Sequence, residues 1–138
     1  MKKKTIKVRT GQPKDVVNIF RLLSSAWDEQ TVEYAPIDDL RGFQWILKIL
    51  REGFIAVADL DGRIVGVAVA SPFQPPWSFQ WMLDLEHFYV MPKFRGEGVS
   101  TSLMKAVEQW ADSVKLSMVF GIKTGATDIL SHFINPER

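Results

Sequence analysis

The stretch FYVMPKFRGEGVSTSLM, residues 88–104, begins as an apolar strand and continues as an amphipathic helix. Between the two segments lies a turn that contains Arg95 and two glycines, Gly96 and Gly98. The first turn of a helix has unpaired N–H groups and a partial positive charge, and glycine lets a ligand approach them closely. The turn therefore predicts either an anion site, built from the N–H groups of residues 96–100 with a contact from Arg95, or a tight connection without a ligand.

The composition is typical of a globular protein. The chain has 138 residues, of which 46% are hydrophobic and 24% are charged, and its net charge is +1. This charge gives no reason to expect nucleic acid or an anionic membrane as a partner, and no segment approaches the roughly 20 apolar residues that span a bilayer. The chain has no cysteine and only two histidines, so we expect no disulfide, no cysteine nucleophile and no metal. No apolar stretch follows the basic residues 2–4, so the expected location is the cytoplasm.

The hydrophobic patterns on either side of the opening stretch predict an α/β fold in a single domain, residues 1–138. Residues 5–9 alternate as a strand does, and apolar residues at helical spacing follow Pro13 as far as Trp27. Asp61-Gly62 lies between two β-branched runs and predicts a type I′ hairpin, because that turn needs positive φ twice. The predicted order is β-α-α-β-β-β-α-β-α, a central mixed sheet flanked by helices on both faces. The remaining elements are a helix opened by Asp38 or Asp39 and closed by Gly53, strands at 54–60, 63–71, 79–90 and 116–122, and helices at 99–114 and 128–135.

Residues 89–100 read YVMPKFRGEGVS and, with this element order, resemble the signature of the GNAT superfamily of N-acetyltransferases. Members of that family move an acyl group from acyl-CoA to an amine. Their signature is a strand that runs into V-x-P-x-x-R-G-x-G-[IV]-[GA]. The chain departs from it at Ser100, where glycine or alanine is usual. The resemblance is strong over residues 84–110 and extends by pattern over about 5–135.

The resemblance implies a binding site for acetyl-CoA as co-substrate. The backbone N–H groups that would hold the CoA pyrophosphate are those of Arg95, Gly96, Glu97, Gly98, Val99 and Ser100. Backbone groups of Phe88, Tyr89 and Val90 would pair with the pantetheine arm, as if it were an added strand. This arrangement requires the fourth and fifth strands to splay apart, and a β-bulge in the fourth strand is the expected device.

The resemblance also implies a catalytic base on the fourth strand. An alkyl amine has a pKa of roughly 10, so it must lose a proton before it attacks a thioester, and the oxyanion that forms needs an N–H donor. The ionisable residues between 79 and 90 are Asp84, Glu86 and His87. Family members often have a glutamate four residues before the signature valine, which implies Glu86 as general base and the Val90 N–H as oxyanion donor. Glu86 could instead be a solvated or lysine-paired residue. A regular strand would place His87 on the opposite face, as a packed or surface residue.

Three features favour an alternative, a weak or inactive acyl-CoA-binding or protein-interaction module with the same fold, and the first is Ser100 in the signature. The tyrosine that family members commonly carry in the helix after the fifth strand corresponds to Phe133, next to His132. The family's last strand pair has no counterpart before Arg138, which predicts either a natural short form of the domain or a truncated one. The sheet edge left open would be covered by the last helix or by a second copy in a homodimer.

The acceptor is expected to be a small amine or a lysine-containing molecule. Residues 24–40 contain no Lys or Arg, so this segment is either an acidic wall that attracts a cationic acceptor or an ordinary solvated loop. Aromatic residues at 77, 79 and 81 either form a wall of the acceptor site or pack the sheet, and packing is the expected role. The acidic residues of the segment are Asp28, Glu29, Glu33, Asp38 and Asp39.

Overall fold

The computed structural model describes residues 5–29 and 36–120 and confirms the α/β fold, with a mixed sheet between helices. The predicted helix at 128–135, and with it His132 and Phe133, lies outside the described residues. Short 3₁₀ turns precede the first and third helices, at Pro13–Asp15 and Pro92–Phe94. The elements are β1 (Ile6–Thr10), α1 (Val16–Glu29), α2 (Asp39–Glu52), β2 (Phe54–Leu60), β3 (Arg63–Phe73), β4 (Met82–Val90), α3 (Val99–Val114) and β5 (Met118–Phe120).

The five strands lie side by side in chain order, β1 to β5. Neighbours are antiparallel from β1 to β4, whereas β4 and β5 are parallel. Parallel neighbours need a crossover connection, and α3 provides it. The β2–β3 turn confirms the predicted hairpin, since φ is 49° at Asp61 and 93° at Gly62. After β4 the chain passes through the glycine turn into α3, which connects β4 to β5.

Two apolar clusters, one on each face of the sheet, form the core. Helices α1 and α2 cover one face, which we call the α1/α2 face, and its buried residues include Ile55, Val67 and Val69. Helix α3 covers the other face, the α3 face, where Ala70 and Leu85 are buried. Each fully buried aliphatic side chain contributes about 1.5–3 kcal/mol, so these clusters account for most of the drive to fold.

Helix α2 begins and ends at the predicted capping residues. The Asp38 carboxylate accepts a hydrogen bond from the N–H of Arg41 at 2.9 Å, which satisfies one donor of the first turn. Gly53 closes the helix, with its N–H bonded to the carbonyl of Ile49 at 2.7 Å. A Cβ at Gly53 would lie 2.5 Å from the carbonyl oxygen of Ala70, so α2 ends in direct backbone contact with β3.

Strand boundaries differ from the prediction around the β3–β4 connection. β3 continues to Phe73, whereas the pattern ended it at 71, and β4 begins at Met82, whereas the pattern began it at 79. The connection holds two consecutive prolines, which lack the N–H that a strand ladder requires. β3 and β4 therefore extend past the end of β2 as an arm, which has β5 paired along β4 and residues 74–81 at its tip.

A partly buried ion pair fastens β1 to the start of α1. The Arg9 guanidinium donates to both oxygens of Asp15, at 2.8 and 2.9 Å, and its Nε donates to Asp59 on β2 at 3.0 Å. Asp15 is buried, and its carboxylate also accepts from the N–H of Gln12 at 2.8 Å. The hydrogen bonds from Arg9 hold the pKa of Asp15 below its ordinary value, although burial opposes the shift.

The longest described helix, α3, has 16 residues. None of the described helices combines the length and apolar character that a bilayer crossing requires.

Candidate active site

The glycine turn between β4 and α3 depends on a backbone conformation that favours glycine. Gly96 and Gly98 both have φ of 83°, and Gly98 is the N-cap of α3. This left-handed conformation costs other residues about 1–2 kcal/mol. A Cβ at either position would meet no atom within 4 Å. The glycines are therefore needed for backbone direction, and the space around them is open.

The start of α3 has a row of N–H groups without an acceptor among the described residues. No side chain caps Gly98, and the helix's first hydrogen bond runs from the N–H of Ser102 to the carbonyl of Gly98 at 3.1 Å. Within residues 5–29 and 36–120, the N–H groups of residues 96–101 donate to no other residue. Arg95 differs, because its N–H bonds to the carbonyl of Pro92 at 3.2 Å. The turn can therefore offer an anion the N–H groups from Gly96 onward.

The Arg95 side chain lies toward α1. Its Nε donates to the carbonyl of Val90 at 2.7 Å, and its Nη2 lies 3.0 Å from a carboxylate oxygen of Glu29. The guanidinium carbon is 5.2 Å from the centre of the Tyr89 ring. Burial raises the pKa of the Tyr89 hydroxyl, and its hydrogen bond to Glu29 adds to the shift. Arg95 thus ties the glycine turn to the end of α1, and its contact with a phosphate stays a prediction.

The outer edge of β4 presents backbone groups beside the glycine turn. The N–H of Met91 donates to Val65 on β3 at 2.9 Å, which fixes the alternation of the ladder. Because alternate residues of an antiparallel strand bond to the same neighbour, the backbone groups of Phe88 and Val90 point to the opposite edge. Among the described residues, pairing of β4 with β5 ends at Leu85. The Phe88 backbone groups and the Val90 N–H therefore face the predicted path of a pantetheine arm, and pairing with that arm stays a prediction. The Val90 carbonyl instead accepts from Arg95, and the Tyr89 backbone faces β3, so the expected pairing of Tyr89 with the arm is wrong.

A cleft of about 600 Å³ lies between this edge and the first turns of α3. Its wall combines an aromatic side chain from β4 with hydroxyls, a thioether and a cation from α3. The sequence pattern singled out only the first two of its lining residues, since the others are ordinary helix residues whose direction depends on how α3 docks. The lining residues are Phe88, Ser100, Thr101, Met104, Lys105 and Glu108.

Glu86 is the extra residue of a β-bulge in β4. Val69 pairs with His87 and Ala70 pairs with Leu85, so Glu86 has no partner of its own on β3. The predicted bulge is confirmed. Ser71 follows Ala70 on β3, and its hydroxyl donates a hydrogen bond to the Glu86 carboxylate. Since Ala70 belongs to the α3 face, Ser71 and the Glu86 carboxylate lie on the α1/α2 face.

His87 also lies on the α1/α2 face. Its ring centre is 5.9 Å from that of Trp27 on α1 and 5.4 Å from that of Trp45 on α2, with edge-to-face geometry at both contacts. Of the two roles predicted for His87, packed or surface, the structure shows the packed one. The opposite face expected for a regular strand does not apply, because the bulge inserts one residue and reverses the alternation. Glu86 and His87 therefore border the same space between the sheet and the two helices.

Asp84 is the third ionisable residue of β4. It pairs with Ser71 in the strand register, so it lies next to the hydroxyl that Glu86 contacts. One of its carboxylate oxygens is fully shielded from solvent. The three ionisable residues that the sequence singled out on this strand are thus brought together on one face of the sheet.

The aromatic residues at the tip of the β3–β4 arm are exposed. Trp77, Phe79 and Trp81 are 85%, 97% and 53% exposed, so the expectation that they pack the sheet is wrong. The tip is braced by a 2.7 Å hydrogen bond from the Gln74 side chain to the carbonyl of Phe79. Exposed large apolar side chains on an ordered loop are typical of a contact surface.

Two acidic residues of the segment 24–40 have structural roles. Glu29 pairs with Arg95, and Asp38 caps α2. Asp28 and Asp39 are exposed, and Glu33 lies outside the described residues. An acidic wall for a cationic acceptor therefore stays a prediction that rests on the exposed members.

Residues 17–129 match the family model described as the acetyltransferase (GNAT) family. The chain belongs to this family. An uncharacterized N-acetyltransferase of Archaeoglobus fulgidus is 31% identical over 70 residues, which are 50% of this chain and 47% of that protein. The chain thus spans about half the length of the curated relative that it matches.

Solved structures of GNAT acetyltransferases share the fold. A predicted acetyltransferase of Clostridium acetobutylicum, crystallised with acetyl-CoA, superposes with a TM-score of 0.75 at 14% identity, over 84% of this chain and 80% of that one. The aminoglycoside N-acetyltransferase AAC(6′)-Iy, in complex with CoA, superposes with a TM-score of 0.71 at 19% identity. The superposition covers 97% of this chain and 86% of that one. At identities this low, the similarity shows a shared fold only.

Proposed function

We propose that this GNAT domain is an acetyl-CoA-dependent N-acetyltransferase that passes an acetyl group to a primary amine by direct attack. The observation that carries the proposal is the glycine turn, whose N–H groups without a described acceptor lie directly before Ser100 and Thr101, two residues that line the cleft beside β4. A helix N-terminus of this kind favours a phosphate group. The two structural relatives that contain acetyl-CoA or CoA support the same donor.

The donor is held by backbone groups. Its diphosphate accepts hydrogen bonds from the N–H groups of residues 96–100, and its pantetheine arm follows the outer edge of β4 past Phe88 and Val90. Lys105, on the wall of the cleft, adds positive charge for a phosphate. Because these contacts use mostly main-chain donors, Ser100 serves as well as the usual glycine or alanine if its side chain points along the helix. The proposal includes no metal, since the N–H groups and Lys105 supply the contacts to the phosphates.

The chemistry begins at Glu86. Its carboxylate takes a proton from the acceptor ammonium, directly or through one water, and the neutral nitrogen attacks the carbonyl carbon of the thioester. The carbon–nitrogen bond forms, and the oxyanion accepts a hydrogen bond from the Val90 N–H. The carbon–sulfur bond then breaks, the nitrogen loses its second proton, and the CoA thiolate gains one, with water carrying the proton between them. Glu86 finally releases the proton it took to solvent. No covalent acyl-enzyme is formed, so both substrates bind before either product leaves.

The acceptor reaches Glu86 from the α1/α2 face. Trp27, Trp45 and His87 border that space, and the aminoglycoside acetyltransferase among the structural relatives acts on an amine substrate. A cationic acceptor is favoured by the carboxylates of Asp84 and Glu86 on this face. The proposed acceptor class is therefore a primary amine, either on a small molecule or on a lysine side chain.

A second candidate is an acyl-CoA-binding or protein-interaction module with little turnover. The exposed aromatic residues at the tip of the β3–β4 arm favour it, because Trp77 and Phe79 are 85% and 97% exposed. Such side chains offer a partner protein large apolar area at low entropic cost. In this case CoA would bind at the same turn without acetyl transfer.

Calorimetry with CoA and a thiol-release assay separate the two candidates. We expect CoA to bind with heat, and a panel of primary amines to release free thiol from acetyl-CoA. Binding without thiol release from any amine would select the interaction module. Absence of heat at millimolar CoA would refute the transferase and the CoA-binding form of the second candidate. Asp112→Asn, a carboxylate change on α3 outside the cleft, serves as the matched control for variants of Glu86.

A further inference from the structure

We infer that Ser71 is a positioning residue that holds the Glu86 carboxylate toward the acceptor. The inference rests on the proposed function, in which Glu86 is the general base. Its starting point is the hydrogen bond from the Ser71 hydroxyl to the Oε1 atom of Glu86. Nothing in the local sequence around Ser71 indicates this contact, because the two residues lie on different strands and 15 positions apart.

The bulge explains why Glu86 needs such a partner. In a regular antiparallel pair, each residue is opposite one cross-strand residue, and this pairing fixes the direction of its side chain. Glu86 lies between the His87–Val69 and Leu85–Ala70 pairs and has no opposite residue on β3. Its side chain must therefore be directed by a local contact, and the hydroxyl of Ser71 supplies one.

The backbone of Ser71 is itself held in place by neighbours on both sides of β3. Gly53, at the end of α2, packs against it so closely that a Cβ there would lie 3.1 Å from the Cα of Ser71. Ser71 also has a partner in the ladder, Asp84 on β4. A hydroxyl on a strand that is held on both sides gives a reproducible position, as a base needs when its distance to the amine must be kept within about 0.5 Å.

The contact also gives the two oxygens of the Glu86 carboxylate different roles. Oε1 accepts from Ser71, which leaves Oε2 for the proton of the amine or of a bridging water. Loss of the hydroxyl would let the carboxylate rotate about its side-chain bonds. A misplacement of about 1 Å is enough to lower a rate roughly a hundredfold. We therefore expect an effect on kcat and none on the binding of CoA, whose site is on the other side of β4.

The test compares Ser71→Ala with Ser71→Thr, which keeps the hydroxyl and suits a strand. We expect the alanine variant to lower kcat about tenfold or more, with the KM for acetyl-CoA unchanged, and the threonine variant to restore most of the activity. In a Glu86→Gln background, Ser71→Ala should have no further effect, because the two residues act as one unit. Ser113→Ala, an exposed serine on α3, is the control for the substitution itself.

Three results would overturn the inference: wild-type kcat in Ser71→Ala, an additive loss in the double variant, or a loss that threonine does not restore. A crystal structure of Ser71→Ala gives a readout independent of turnover. If its Glu86 carboxylate keeps the wild-type position, the inference is wrong even if the amine panel finds no substrate. If Glu86→Gln keeps full activity while the carboxylate moves in Ser71→Ala, the base assignment fails and the positioning contact stands.

Discussion

Replacing Gly98 by alanine tests whether the glycine turn is a binding site or only a connection. Gly98 has φ of 83° and ψ of 0°, a left-handed conformation that costs alanine about 1–2 kcal/mol. A Cβ at this position would meet no atom within 4 Å, so no steric clash adds to that cost. For a domain of this size, we expect the melting temperature to fall by about 3–6 °C.

Gly62 provides a matched control. It lies in the β2–β3 hairpin with φ of 93°, and a Cβ there would also meet nothing within 4 Å. Gly62→Ala should therefore lose about as much stability as Gly98→Ala, about 1–2 kcal/mol. The two variants differ in position only, because the hairpin lies outside the cleft between β4 and α3.

The affinity for CoA should separate the variants. Relief of the unfavourable φ at Gly98 would turn the peptide that carries the Val99 N–H, and a lost hydrogen bond to a charged group costs about 1.5–3 kcal/mol. The Kd for CoA should then rise roughly 10- to 100-fold in Gly98→Ala and stay unchanged in Gly62→Ala. Calorimetry gives the Kd values, and thermal unfolding gives the stabilities. Wild-type affinity in Gly98→Ala, or an equal loss in both variants, would refute the proposed site.

Three further predictions concern catalysis, pH and packing. Glu86→Gln should lower kcat about 10²- to 10⁴-fold with the Kd for CoA unchanged, and wild-type turnover would remove the base role. Asp15→Asn should cost about 2 kcal/mol at pH 7 in urea unfolding, since one partner of a mostly buried pair with Arg9 is lost. Because Arg9 lowers the pKa of Asp15, the stability difference between wild type and Asp15→Asn should be largest above the pKa of Asp15 in the unfolded chain. It should vanish as the pH falls through the lower pKa of Asp15 in the folded protein, and a pH-independent difference would contradict this. Gly53→Ala should lower stability by about 1–3 kcal/mol, because its methyl would lie 2.5 Å from the Ala70 carbonyl, and an unchanged melting temperature would argue against that contact.

Features that depend on local chemistry could be predicted from the sequence. The Asp61-Gly62 hairpin, the Asp38 cap and the glycine turn each follow from a few adjacent residues whose backbone preferences are strong. The presence of a bulge in β4 was also predictable, through the family resemblance. These are the elements that fix the topology and the outline of the proposed donor site.

Features that depend on register could not be predicted. The face on which Glu86 lies is decided by where the bulge occurs, and a shift of one residue reverses every side chain beyond it. The Ser71 contact has the same origin. The bond from Arg95 to Glu29 joins residues 66 positions apart, so no local pattern indicates it. The exposure of Trp77 and Phe79 was missed because apolar composition alone favours burial.

The chain-order arrangement of β2, β3 and β4 has a consequence for how the domain assembles. These strands are joined by short connections, so their pairing needs little loop-closure entropy and can occur early in folding. The parallel β4–β5 pairing must wait until α3 has crossed the sheet. The cleft at the start of α3 is thus completed late, and hydrogen exchange should find α3 less protected than the three-stranded meander. A variant that weakens the docking of α3 would then become unresponsive to its acyl donor while most of the sheet persists.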